Sequence, residues 1–351
     1  MINLENIIRR IESSIGKEDT SEQEIWLRIK ELCMHELQSF LPNTPPKNLT
    51  QLTEELFAGK KLQNCMPTGF QTLDKLIGGF GEGEFVVVGG RPAMGKTLFL
   101  LQMGLNMSKK QPVLYLSYDL SDYRLICRIL SILSGVEPLN IANNQLDELE
   151  KSQLELAKSK LSDYQLTINA EADKSIDALI EYCIQQIKNQ GVKVIILDFL
   201  QMLNHKYFRR YNRDAEIDEI CKKLKELAKE YKVCIIAASS LNRGVENRVG
   251  LDGKRPQLCD LRDSGGIEQM ADKVLFLHRP EYYKIIADCF GNSLIGVLEV
   301  IVAKNSAGTV GDIRLMRNNN CLTEEENIEI SDNFINKIKE LGIEMSSEMP
   351  F

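Results

Sequence analysis

No stretch of this sequence stays apolar for the roughly 20 residues that a membrane-spanning helix requires, so a membrane-embedded role is not expected. The opening residues, Met1 to Arg10, mix acids, bases and isolated apolar side chains, unlike a secretory leader. Nine cysteines contain no CxxC pair, and only three histidines accompany them, which argues against a zinc site or a disulfide framework. They read as small core residues of a chain kept in a reducing, cytoplasmic compartment. Basic residues are in the minority, 43 Lys and Arg against 50 Asp and Glu, for a net charge of -7. That balance disfavours nonspecific nucleic-acid binding over the whole surface, so any DNA contact must come from a local concentration of basic residues. There is no internal repeat and no long low-complexity tract.

The 351 residues, 43% of them hydrophobic, suffice for one large core and a smaller appended unit. Spacing and punctuation predict four segments: a short helical region over 1–45, a linker with a short helix over 46–65, a core over 66–323, and an acidic tail over 324–351. In the first, Leu4, Ile7, Ile8, Ile11 and Ile15 share one helical face, and Ile25, Ile29, Leu32, Cys33 and Phe40 share another. Ser21 and Glu24 have the spacing of a capping box. So small a hairpin cannot build a core alone, and its stripes must rest on the main domain or on another subunit. Pro42, Pro45 and Pro46 mark the linker, and 48–58 reads as a helix with Leu49, Leu52 and Leu56 on one side. One further helix is expected in the tail, Ile330–Leu341.

Within the core, short β-branched runs alternate with helical stretches, which predicts an α/β fold with a largely parallel sheet. The expected strands are Phe85–Val88, Val113–Ser117, Gln165–Asn169, Val194–Leu197, Val233–Ala238, Lys273–Leu277, Ile295–Ala303 and Gly311–Met316. Helix 215–231 turns Ile217, Ile220, Leu224, Leu227 and Tyr231 inward, which leaves Lys222, Lys223 and Lys225 as its expected solvated side.

One segment carries explicit chemistry. Gly90, Arg91, Pro92, Ala93, Met94, Gly95, Lys96 and Thr97 fit G-x-x-x-x-G-K-[ST] in full, with an apolar strand before and a helix opening at Leu98 behind. Such a loop curls backbone amides around phosphate oxygens at a helix N-terminus. Its lysine reaches the β- and γ-phosphates of ATP, and its threonine hydroxyl ligates Mg²⁺. The apolar run Val194–Leu197 ends at Asp198, on the sheet edge where such folds bind ligands, and that carboxylate suits the metal. The strand ending at Ser117 places Asp119 on the same edge, either as the carboxylate that orients the attacking water or as a helix cap, a role Ser121 also fits.

These motifs belong to a longer series. Thr68–Gly79, GRPAMGKT at Gly90–Thr97, Ser117-Tyr-Asp119-Leu-Ser with Arg128, Leu197-Asp198-Phe-Leu-Gln201-Met-Leu, Leu241-Asn242-Arg243-Gly-Val-Glu246-Asn-Arg248 and Asp260–Gln269 follow in order. The series, covering residues 66–318, resembles the bacterial replicative DNA helicases of the DnaB type. The resemblance implies a RecA-like core with a mostly parallel twisted sheet. It implies a homo-oligomeric ring, usually a hexamer, with Mg-ATP between subunits and single-stranded DNA in a central channel. It implies an ATP hydrolase in which Lys304 reaches a neighbour's γ-phosphate and Arg262, Asp263, Ser264 and Gly265 contact DNA. The loop after Asp198 offers Lys206, Arg209, Arg210 and Arg213 with Tyr207, Phe208 and Tyr211, either a phosphate-tracking and base-stacking surface or an exposed loop anchored by its aromatics. A recombination or clock ATPase fits the fold but not the LNR and DLR segments.

The chain departs from that family's pattern at functional positions. Asp119 stands for Glu, Ser240 for the Gln of SQLNR, Asp263 for Glu and Met270 for Asp. The K-x-R pair reads Lys304-Asn305-Ser306, with serine at the arginine-finger position. Such an arginine contributes ~10³–10⁵ in rate, roughly 4–7 kcal/mol of barrier. The helical N-terminal region is shorter than the family's, which puts primase and loader contacts in question. Two functions therefore stand: an ATP-dependent DNA helicase or translocase, and a hydrolysis-impaired ATP-binding assembly protein on the same core. Arg314 and Arg317 are the candidates to stand in for the missing finger.

Overall fold

A computed structural model of the chain describes residues 48–57, 65–205, 213–248, 250, 252–261, 264–288, 290–318 and 320–324. The helices expected over 1–41 and 330–341, and residues Lys206, Tyr207, Phe208, Arg209, Arg210, Tyr211, Arg262 and Asp263, lie outside the described residues. The chain divides into two units, Met1–Leu62 and Gln63–Phe351. In the first, helix α1 spans Leu49–Phe57. It begins where Gln51 N donates to Asn48 Oδ1 at 2.8 Å and Asn48 N donates to Gln51 Oε1 at 3.2 Å, a reciprocal cap.

The second unit opens with β1 (Cys65–Met66), α2 (Gln71–Ile77) and β2 (Phe80–Gly81). The main sheet and its helices follow: β3 (Phe85–Gly90), α3 (Lys96–Ser108), β4 (Val113–Ser117), α4 (Asp122–Ser134), α5 (Pro138–Asn143), α6 (Glu148–Ser159) and β5 (Leu166–Asn169). Then come α7 (Ile176–Gln190), β6 (Val194–Asp198), α8 (Arg213–Tyr231), β7 (Cys234–Ser240), α9 (Ser264–Met270) and β8 (Lys273–His278). The chain closes with β9 (Val297–Asn305), β10 (Gly311–Asn318) and β11 (Cys321–Glu324). Each expected strand is present, with ends displaced by a residue or two. The pair β1–β2 and strand β11 were not anticipated, because runs this short carry too little alternation to stand out from loop.

The main sheet has nine strands in the order β11-β10-β9-β8-β3-β7-β6-β4-β5. From β8 to β5 all neighbours are parallel, and β9, β10 and β11 add an antiparallel extension. This is the α/β fold the alternation predicts. The parallel strands are apolar throughout because both their faces are covered: β3, β4 and β6 are buried at every position. One core layer gathers Val86, Val88, Phe99, Leu100, Met103 and Ile196, and the other gathers Val87, Leu197, Ile217, Ile220, Leu224 and Phe276.

Register decides which tips meet. Gly90 pairs with Ser240 and Ser117 with Asp198, so β3, β7, β6 and β4 end along one edge. At the opposite edge, Lys273 Nζ reaches both carboxylate oxygens of Glu84, at 2.5 and 2.6 Å, with Lys273 2% exposed. Lys225 is held there too, against the Asp272 carboxylate and, at 3.0 Å, Gly83 O. Lys223 pairs with Asp177 at 2.5 Å. The expectation that Lys222, Lys223 and Lys225 form a solvated side therefore holds for Lys222 alone. Helix periodicity reveals the apolar stripe but not the acids that neighbouring elements bring to its flanks.

Candidate active site

The loop from β3 to α3 turns at Gly95, whose φ of +91° falls in the left-handed region that side chains rarely adopt. A cavity of about 470 Å³ lies against it. Pro92, Ala93, Met94, Gly95, Lys96, Thr97 and Leu98 form its floor, and Asp119, Asp198 and Ser240 bring the tips of β4, β6 and β7 to its wall. Gly90 and Arg91 complete the loop without lining the cavity. The Arg91 guanidinium turns away, giving Nε to Glu246 Oε1 at 2.8 Å and Nη1 to Leu241 O at 2.9 Å. The P-loop is thereby braced by the segment that carries the LNR motif.

Lys96 Nζ donates to Gly90 O at 2.7 Å and Arg91 O at 3.2 Å, so its charge is held over the loop. Burial pulls its amine down to about 8, opposed chiefly by the Asp198 carboxylate. Asp198 is 2% exposed. Burial raises its carboxyl, while bonds from the Thr97 hydroxyl and from Tyr115 Oη, the latter at 2.9 Å, hold it down. A buried carboxylate bonded to the P-loop hydroxyl is a hard-oxygen pair of the kind Mg²⁺ takes alongside substrate phosphates. Asp119 is exposed at the cavity rim. Helix α4 starts after Ser121 and not at Asp119, and the side chain of Asp122 accepts from Ala170 N at 2.9 Å. Asp119 is therefore not used as the helix cap and faces the cavity.

Other predicted residues lie elsewhere. Lys304 pairs with Val274 near the start of β8, and its Nζ donates to Glu268 O at 2.7 Å. That is the sheet edge opposite the P-loop. Ser306 is exposed beside it, its N–H bonded to Asp272 O at 2.9 Å. Ser264 and Gly265 open α9, and Gly266 allows that helix to approach α8 so closely that a Cβ would sit 2.0 Å from Asp218 Oδ1. The described residues on either side of 206–212 are bonded to one another. Glu216 accepts from His205 N at 2.7 Å and from Arg213 Nη1 at 2.6 Å, and Arg213 Nη2 donates to Gln201 O at 2.7 Å. The Gln201 amide in turn donates to Ser239 Oγ at 2.9 Å and accepts from Ser240 N at 3.1 Å.

Sequence reasoning missed Arg279, Leu298 and Leu322 as cavity residues, and named Arg317 only as a substitute finger. Arg279 could have been found as the residue after a strand tip. The others lie on the antiparallel extension, whose placement no local pattern announces.

The pattern of one family, described as DnaB-like helicase C terminal domain, matches residues 65–325. The chain belongs to that family. It is 33% identical over 252 residues to the replicative DNA helicase DnaC of Bacillus subtilis (strain 168), covering 71% of this chain and 54% of that one. It is 36% identical over 260 residues to a probable plasmid replicative DNA helicase of Chlamydia psittaci, covering 73% and 54%. The chain thus spans about half the length of the curated relatives it matches. A solved DnaB-like replicative helicase, studied with its interactions with primase, superimposes with a TM-score of 0.73 at 28% identity, covering 92% of this chain and 75% of that one. A solved ATPase domain superimposes at 0.70 with 30% identity, covering 79% and 97%. The DnaB-like assignment and the RecA-like core are thereby established. Among the described residues no helix is long and apolar enough to cross a membrane, and no group of three His, Cys, Asp or Glu forms a metal cluster.

Proposed function

We propose that this chain is an ATP-dependent DNA helicase or translocase that works as a homo-oligomeric ring, a hexamer, with Mg-ATP at the subunit boundary and single-stranded DNA in the channel. One observation carries the reading. Lys96, Thr97, Asp119 and Asp198 share one cavity, while Lys304 and Ser306 sit on the opposite sheet edge of the same chain. A site divided in this way is completed by a second copy. In it, the loop amides and Lys96 hold the β- and γ-phosphates. Thr97 and Asp198 hold Mg²⁺, which neutralises charge on the phosphates when bound. Asp119 orients water, and Lys304 of a neighbour approaches from outside. The Gln201–Ser240 bonds and the Glu216 clamp offer a continuous link from the cavity to residues 206–212 and so to DNA.

The test is steady-state ATP hydrolysis by the full chain with and without single-stranded DNA. Stimulation by DNA is the expected result; turnover indifferent to DNA counts against a motor. A second reading rests on Ser306, which brings no positive charge to a neighbour: an ATP-binding assembly or regulatory protein in which nucleotide clamps the interface. Tight Mg-ATP binding without turnover is its signature.

The Lys96 shift adds a pH dependence. Phosphate binding needs the ammonium form, and the free protein loses that proton near pH 8. Affinity for Mg-ATP is therefore full below that pH and falls as pH rises through it. At pH 9 roughly one lysine in ten is still charged, so affinity drops about tenfold from its plateau. Binding titrations from pH 7 to 9.5 read this directly, and Lys96→Arg, charged throughout, flattens the profile. A wild-type profile that is already flat removes Lys96 from the phosphate contact.

A further inference from the structure

The cavity changes character across the P-loop. Toward β7, β6 and β4 its wall carries Ser240, Asp198 and Asp119; toward β8 through β11 it carries Arg279, Leu298, Arg317 and Leu322. Lys96 and Thr97 line the cavity together with Asp119 and Asp198, which marks the first side as the place of metal and terminal phosphate. The nucleoside of a bound triphosphate then lies on the second side.

That second side is built from one sheet face. Arg317 and Leu322 are register partners, and Leu298 partners Leu315, two residues before Arg317. Side chains at these positions share a face. The hairpin is pinned to the helix that begins at the P-loop. Gln102 Nε2 donates to Leu322 O at 2.6 Å, and Leu322 N donates to Gln102 Oε1 at 2.7 Å. The same helix therefore sets the phosphate loop and the distance of Arg317 from it.

The basic residues on this side differ in their commitments. Arg279 donates to Ala93 O at 3.0 Å and pairs with Glu281. Arg314 faces Asp288 at 3.4 Å and Glu299 at 3.9 Å, and does not line the cavity. Arg317 is exposed at the mouth, and its guanidinium makes no hydrogen bond among the described residues, though its charge is felt by Glu281.

We propose that Arg317 lays its guanidinium plane on the base of the bound nucleotide, with Leu298 and Leu322 as the apolar ground beneath, so that the β10–β11 hairpin forms a purine-favouring base subsite. This rests on the reading of the cavity as a nucleoside triphosphate site. A planar cation gains from a π-face, more from the larger face of a purine than from a pyrimidine. Lysine keeps the charge but loses the plane. Arg317 thus serves base recognition in its own subunit and is no substitute for the missing finger.

The experiment titrates ATP, CTP and inorganic tripolyphosphate, each with Mg²⁺, into the full-length protein by calorimetry, for wild type, Arg317→Ala, Arg317→Lys and Lys96→Ala. Arg317→Ala is expected to weaken ATP by roughly 3–30-fold, CTP by less, and tripolyphosphate not at all. Arg317→Lys is expected to recover only a minor part. Equal losses on ATP and tripolyphosphate would place Arg317 on the phosphates and overturn the proposal, as would ATP affinity unchanged in Arg317→Ala. Lys96→Ala reports separately on the reading beneath it: loss of all three ligands upholds the phosphate site, and wild-type binding by that variant removes it.

Discussion

Ser306→Arg combined with Asp119→Glu is expected to raise DNA-stimulated ATP turnover by at least ~10²-fold, because a trans-acting arginine contributes ~10³–10⁵ in phosphoryl transfer and a one-methylene misplacement of a water-orienting carboxylate can cost ~10². Both positions are exposed, so neither substitution disturbs the core. Ser306 follows the end of β9, on the sheet edge away from the P-loop of its own chain. In the proposed ring, an arginine there acts only on a neighbour. Mixing separates this from a local effect. A Lys96→Ala, Ser306→Arg chain has no working site of its own, yet it should accelerate wild-type chains in shared rings. If the double variant turns over at the wild-type rate, or the mixture shows no gain, the trans assignment of Lys304 and Ser306 is wrong.

Lys273→Met is expected to lower the free energy of unfolding by about 3–5 kcal/mol, the cost of removing one partner from a buried ion pair. Glu84 would keep one bond, from Gly81 N at 2.9 Å, while losing the ammonium that now contacts both its oxygens. The carboxylate is buried, 6% exposed, just before β3, which runs between β7 and β8. Replacing both residues, Lys273→Met with Glu84→Leu, should recover most of the loss, since two apolar side chains leave no orphaned charge. Urea unfolding without nucleotide, at one fixed protein concentration, measures each variant. A loss below about 1 kcal/mol for Lys273→Met would mean that water reaches the pair and that it behaves as a surface bridge.

The division of labour between sequence and fold is visible residue by residue. Strands with two buried faces read as apolar runs, so β3, β4, β6 and β7 were legible in the sequence, as was the P-loop, whose glycines and lysine act through local backbone geometry. The order of motifs from Thr68 to Gln269 also identified the family, since a series of short segments in register needs no coordinates. Which carboxylates face Lys96, by contrast, depends on β4 joining the sheet beyond β6 and not beside β3. Periodicity leaves Lys225 facing solvent, and only the bend that leads into β8 brings Asp272 to it. Arg317 lies near the end of β10, and its register partner Leu322 sits on a four-residue strand that has no periodic signal of its own and is held by Gln102. Local pattern is set by neighbours a few positions away along the chain. Strand order, ion pairs and the far wall of the cavity are set by contacts between residues up to 252 positions apart, and those exist only once the sheet has closed.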